Sequence, residues 1–84
     1  MEHEVIVLPS ALKHGFTARD IVAVVKYPLV SEVLSSGKCL RIGLIGNVPV
    51  EILGRYSDDG MFVVFHCMKC RKRYWNLLES YYER

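Results

Sequence analysis

The stretch "VPVEILGRYSDDGMFVVFHCM", Val48 to Met68, decides the fold. Two runs of alternating apolar residues flank the polar "SDDG", and period-two alternation bounded by Asp and Gly reads as an antiparallel hairpin. Directly opposed residues share a face of the sheet. A two-residue turn at Asp59 and Gly60 therefore predicts Tyr56 opposite Val63, Gly54 opposite Phe65 and Ile52 opposite Cys67. The other face then carries Arg55 with Val64 and Leu53 with His66.

Upstream, "CLRIGLI", Cys39 to Ile45, is a further strand with the same period. A three-residue turn at Gly46 to Val48 places Leu40, Ile42 and Leu44 with Val50, Ile52 and Gly54, and leaves Arg41 and Glu51 on the face of Arg55 and His66. The alternative, a two-residue turn at Gly46 and Asn47, puts Arg41 beside Ile52 in the core, where desolvation of a charge is costly. The longer loop is the expected one.

Around this meander the period is helical or absent. Val5 to Leu8 read as a first strand or extended arm, stopped by Pro9 and Ser10. "SALKHGF" reads as about one and a half helical turns ended at Gly15. Thr17 opens a second helix, with Asp20 three positions on and Ile21, Val24 and Val25 as its apolar stripe, and Pro28 closes it. "VSEVLSSGK" reads as a connection. Arg71 to Arg84 form a closing helix with Tyr74, Leu77, Leu78 and Tyr81 on one side. The expected architecture is a single α+β domain over residues 1–84, with a short N-terminal strand and two small helices, a three-stranded antiparallel meander and a C-terminal helix. One sheet face is expected to be buried under the N-terminal helices.

A chain of 84 residues buries only about 60 to 65% of its unfolded surface, so it is expected to lean on a partner, a dimer or a ligand. No apolar run approaches the ~18 residues of a membrane span. Glu2 and Glu4 stand where a signal peptide carries basic charge, and cytoplasmic residence is expected. The net charge of +2 is small, but four of the 11 Lys and Arg residues, Lys69, Arg71, Lys72 and Arg73, fall inside five positions. Such a run is ordinarily a solvated helix start; beside a site it becomes a phosphate-binding patch.

Two constellations carry chemistry. "HCMKC" has CxxC spacing, and a zinc site would draw its other ligands from Cys39 with His14, His3 or His66. Only one CxxC exists, the predicted register points Cys67 inward and Cys39 to the other face, and buried packing is the favoured reading of these cysteines. No metal or cofactor is expected. A nucleophilic cysteine has only the nearby cations in its favour.

The second constellation is the face carrying Arg41, Glu51, Arg55 and His66, with Lys69 to Arg73 at its end. Metal-free RNA cleavage needs a base for the 2′-hydroxyl, cations for the transition-state charge and an acid for the leaving oxygen. Glu51 or His66 suits the first role, Arg41 with Arg55 the second, and His66 or Tyr74 the third. Tyr74 and Trp75 can stack on bases, although Trp75 also suits a core position. The competing reading is a cross-strand surface ion pair between Glu51 and Arg55. His14, in the last turn before Gly15, either serves the site or caps its helix, and Lys13 beside it can contact phosphate.

At this point a family comes into view. "KHGFTARDIVAVVKYPL" resembles the "KHGV…E.A..VF.DP" opening of BrnT-type toxins, within the RelE-like ribonuclease superfamily of toxin–antitoxin systems. "RIG", "VPVEILGRYSDDG" and "VVFHCMKCRKRYW" are similar to that family's strands and basic strand end, and the likeness spans Leu12 to Tyr81. It implies an RNA-cleaving, translation-inhibiting toxin with a RelE-like fold, neutralised by a co-encoded DNA-binding antitoxin in a hetero-oligomer. It carries site roles onto Arg41, Glu51 and the basic strand end. One departure matters: where the family has an arginine near the strand's end, this chain has Met68 and then Lys69, so the role that arginine would play in cleavage either passes to Lys69, Arg71 or Arg73 or is lost. His66 instead resembles a related group of short bacterial proteins whose strand ends in an "HAMPARPKY"-like sequence. Two other classes stay open: a non-catalytic RNA- or protein-binding module of the same fold, and a small zinc-stabilised interaction domain.

Overall fold

The structure, a computed structural model, describes residues 4–83. In chain order it contains β1 (Val5–Val7), a 3-10 turn (Pro9–Ala11), α1 (Ala18–Lys26), β2 (Val30–Val33), β3 (Cys39–Ile45), β4 (Val48–Tyr56), β5 (Phe62–Lys69), a second 3-10 turn (Lys72–Tyr74) and α2 (Trp75–Tyr82). The fold is α+β. Its sheet has five strands in the order β1-β5-β4-β3-β2, with β1 parallel to β5 and every other pair antiparallel. The expected three-stranded layout is thus enlarged at both edges. "VSEVLSSGK" is strand β2 and a tight turn rather than a connection, closed by Leu34 N donating to Lys38 O at 2.8 Å. The strand leaves no signature in the sequence because Ser31, Glu32 and Val33 are all exposed at the sheet edge, with no apolar alternation.

The β4–β5 hairpin closes through a three-residue loop, Asp58 to Gly60. Ser57 N donates to Met61 O at 2.8 Å, and Gly60 takes φ +83°, a conformation that favours glycine. The pairs nearest the turn are therefore Tyr56 with Phe62 and Gly54 with Val64. A bulge between Leu53 and Gly54 then leaves Phe65 unpaired and restores Leu53 opposite His66 and Ile52 opposite Cys67. Phe65's carbonyl accepts a hydrogen bond from Ser10 Oγ at 2.7 Å, so the bulge is tied to the N-terminal turn.

The β3–β4 turn is the shorter alternative, with Ile45 opposite Val48, Arg41 opposite Ile52 and Ile42 opposite Glu51. Arg41 and Glu51 consequently lie on opposite faces, contrary to the expected register. The desolvation of Arg41 is offset by partners on α1, β4 and β5 that the sequence does not announce. Its Nη1 donates to Val25 O in the last turn of α1 at 2.8 Å, its Nη2 to Tyr56 Oη at 3.0 Å, and its guanidinium lies 4.4 Å from the Phe62 ring centre.

Both faces of the sheet are covered, where one was expected. α1 begins as anticipated, with Thr17 Oγ1 accepting from Asp20 N at 3.2 Å. It lays Ile21, Val24 and Val25 over Val50, Ile52, Phe62, Val64 and Cys67, each aliphatic side chain contributing about 1.5–3 kcal/mol by burial. Gly43 makes that approach possible, because a Cβ there would meet Val24 Cγ1 at 2.7 Å. On the other face α2 places Leu78 against Leu40 and Ile42, with Leu53, Tyr74 and Leu77 around them.

The remaining differences are local. Of "SALKHGF" only Ser10 and Ala11 are helical, within the 3-10 turn Pro9–Ala11, so His14 lies beyond it in a loop and caps no helix. The closing segment starts with a 3-10 turn, and its α-helix begins at Trp75. Among the described residues no helix is long and apolar enough to cross a membrane.

Candidate active site

The α2-side face of β4 and β5 carries the site. Glu51 and Leu53 project from β4 beside their cross-strand neighbours Met68 and His66 on β5. Glu51 is 0% exposed. Its carboxylate accepts from the Arg71 backbone N–H at 2.8 Å (Oε1) and from Arg71 Nη2 at 2.7 Å (Oε2), while Arg71 Nε lies 3.0 Å from both oxygens. His66 Nε2 lies 2.9 Å from Oε2. Burial pushes the Glu51 carboxyl up, but the bonds from Arg71 and His66 and the guanidinium charge outweigh it and hold it below the usual carboxylate range.

An ionised Glu51 only accepts hydrogen bonds, so His66 Nε2 must be the donor, and in neutral His66 the lone pair sits on Nδ1. The His66 side chain is 20% exposed. The exposed ring of His14 stands against it, with centres 6.1 Å apart and planes at 77°. The structure thus brings together Glu51, His66 and His14 of the candidate residues and adds Arg71 as their anchor.

The other candidates separate. Arg41 lies on the α1 face and serves as a cap for that helix. Arg55 shares the face of Glu51 but sits two positions beyond Leu53, exposed, and forms no ion pair among the described residues; Arg71 holds the carboxylate that Arg55 was expected to meet. Lys69 opposes Val50 rather than Glu51 and borders a separate cleft with Trp75, Leu78 and Tyr82. Among the three cations the resemblance left to choose from, Arg71 is the one that reaches Glu51. Lys72 lies over the Trp75 ring at 5.8 Å and Arg73 over Tyr74 at 5.3 Å. Lys13 is exposed beside His14. Trp75 is 47% exposed, not core, with its indole N–H donating to Cys70 O at 3.2 Å.

Leu53, Arg71, Arg73 and Tyr74 line a cleft of about 490 Å³ that also contains Lys38. Lys38, in the β2–β3 turn, was not singled out in the sequence. Its only signal was a lone cation beside a glycine turn.

The cysteines do not form a site. Cys39 and Cys67 are both buried on the α1 side, so the expected placement of Cys39 on the other face is reversed, and Cys70 lies on the α2 side. Burial, with the Glu51 charge second, pushes the Cys67 thiol up to about 11, and the same two causes raise Cys70; neither is an activated nucleophile. Among the described residues no three His, Cys, Asp or Glu converge to hold a metal ion. His3, a candidate zinc ligand, lies outside the described residues. No protein-family model, curated protein or solved structure matches the chain.

Proposed function

We propose that the protein is a metal-independent endoribonuclease of the RelE-like, BrnT-type kind, the toxin of a two-gene module whose DNA-binding antitoxin covers the basic face. The observation that supports this reading best is the buried, ionised Glu51 orienting a partly exposed His66 beside a cation-lined cleft. Glu51 cannot itself reach substrate, because its oxygens are occupied and out of solvent. It is a positioning residue: it sets the His66 tautomer and stabilises the imidazolium that forms during reaction.

His66 Nδ1 then takes the proton from a ribose 2′-hydroxyl as its oxygen bonds to the adjacent phosphorus. The bond from phosphorus to the 5′-oxygen breaks, and His14 in its imidazolium form returns a proton to that oxygen. The products are a 2′,3′-cyclic phosphate and a 5′-hydroxyl end.

A second reading draws on the saturation of Glu51. Four contacts within 3.0 Å from Arg71 make it a structural knot, as in a non-catalytic RNA- or protein-binding module. One experiment separates the two. Single-stranded RNA is incubated with purified protein and chelator, and the product ends are identified. Cyclic-phosphate products from the wild type, lost in His66→Ala and reduced at least about tenfold in His14→Ala, support the enzyme. No cleavage, or cleavage that survives His66→Ala in folded protein, overturns it.

A further inference from the structure

The cleft beside the His66–Glu51 pair has a lining that the cleavage chemistry does not use. We propose that it is a subsite for one nucleotide of single-stranded RNA, with Lys38, Arg73 and the free edge of Arg71 holding the phosphate and Tyr74 supporting the base. This rests on the ribonuclease reading of the adjacent site.

Charge is the first argument. Lys38, Arg71 and Arg73 line the cleft and no carboxylate does. Glu51 neutralises Arg71, yet Arg71 Nη1 makes no hydrogen bond among the described residues, and Lys38 and Arg73 have no carboxylate partner there. Each of those two cations lies instead against a ring, Lys38 at 5.8 Å from Phe65 and Arg73 at 5.3 Å from Tyr74. An aromatic face attracts a cation without cancelling its charge, so the cleft holds two uncompensated cations and an anion is its complement.

Shape and polarity narrow the anion. The remaining lining is Leu34 and Leu53 with the half-buried Tyr74, and the hydroxyls of Ser35 and Ser36 at the rim. A lining that mixes cations with apolar and aromatic groups, the Arg73 and Arg71 guanidiniums lying 5.3 and 6.0 Å from the Tyr74 ring centre, suits a phosphate attached to a flat ring system better than a bare phosphate. Ser36 Oγ accepts from Lys38 N at 3.4 Å, which fixes the turn that presents Lys38. Connection to the chemistry is direct: Leu53 opposes His66 across the strands, Phe65 precedes His66 in the chain, and Arg71 is shared by the cleft and Glu51. A nucleotide in the cleft would place its neighbouring phosphodiester at His66.

The test is binding of a labelled, uncleavable 2′-O-methyl RNA hexamer to the full chain, read by fluorescence polarisation. Lys38→Glu and Arg73→Glu are each expected to weaken binding at least about tenfold and to lower the salt dependence by roughly 0.7 per lost phosphate contact. Arg19→Glu, exposed on α1 across the sheet, is expected to stay within about twofold of wild type, a sequence-independent surface charge only. Tyr74→Leu keeps the packing and is expected to lose affinity for the hexamer but not for inorganic phosphate used as a competitor. Circular dichroism confirms that each variant is folded, and Lys38→Gln replaces Lys38→Glu if the reversal unfolds the chain. Equal binding by wild type and both Lys38 and Arg73 variants overturns the subsite. Cleavage of unmodified RNA by both variants at the wild-type rate overturns it too, while leaving the ribonuclease reading intact. Hexamer binding that depends on Lys38 and Arg73, without any cleavage, establishes the subsite and removes the ribonuclease reading.

Discussion

Arg71 grips Glu51 from two directions, its guanidinium Nη2 2.7 Å from Oε2 and its own backbone N–H 2.8 Å from Oε1. The side-chain grip neutralises a carboxylate that is 0% exposed; the backbone grip fixes where the chain leaves β5 and turns toward α2. One residue thus joins the site's electrostatics to the docking of the last helix.

Arg71→Ala is expected to cost about 3 kcal/mol of unfolding free energy, the low end for breaking a buried pair, because the Arg71 side chain is 40% exposed and water can follow its removal. Arg71→Lys restores the charge without the paired donors and should fall between Ala and wild type. Urea denaturation measures both. An alanine variant as stable as wild type would show that the knot is not a stabilising feature.

The pH dependence follows from the direction of the Glu51 shift. Its folded carboxyl titrates below the ordinary glutamate value, so in the interval between the two the unfolded chain binds a proton that the folded chain does not. Stability from Glu51 is therefore fully present above the ordinary value, about 4.3, and is lost as pH falls through the folded value. Glu51→Gln is expected to have a flatter stability curve on the acid side of that value than wild type. Parallel curves for the two proteins would remove Glu51 as the source of acid sensitivity.

Arg41 shows where the sequence is legible and where it stops. The alternation of Cys39–Ile45 marks β3 to the residue, and that of the next run marks β4 except for Val48, which the expected turn includes, because half-buried strands write their period into the chain. The turn between them is not legible, for a physical reason: the cost of burying Arg41 is visible in sequence, but the Val25 carbonyl that offsets it is supplied by a helix 16 residues away. In the β4–β5 hairpin two departures from the expected register cancel. The turn holds one residue more than expected and the bulge at Phe65 absorbs it, so His66 arrives on the face of Glu51 as read. The Glu51–Arg71 contact was hidden because Arg71 sits in a run of cations that nothing in sequence tells apart.

With Arg41 assigned to the α1 face, Arg41→Met is expected to lower stability and spare chemistry. It removes a charge-assisted bond to a helix carbonyl, worth about 1.5–3 kcal/mol, while its methylene packing is retained and a buried Nε that has no partner is eliminated. The net loss should be about 1 kcal/mol, with RNA cleavage at the wild-type rate below the melting temperature. A large loss of cleavage in the folded variant would return Arg41 to the site.

Gly54 gives the sharpest test of how the fold positions His66. It stands at the bulge, and an added Cβ would meet Phe62 Cε2 at 2.6 Å, Phe62 Cζ at 2.7 Å and the Val63 carbonyl oxygen at 2.8 Å. Replacing glycine by alanine in an unstrained extended segment ordinarily stabilises by about 0.4–1 kcal/mol through the unfolded chain. Here the clash is with backbone as well as ring, and neither can step aside without moving β5. Overpacking of that kind costs about 1–3 kcal/mol, so Gly54→Ala is expected to be destabilised on balance. The strain also acts on register. If β5 relieves it by giving up the bulge, His66 is carried to the α1 face, because a one-residue slip reverses every side chain. Gly54→Ala should then lose cleavage out of proportion to its stability, read as activity well below the melting temperature alongside a urea curve. A variant as stable and as active as wild type would mean that the bulge does not hold His66 in place.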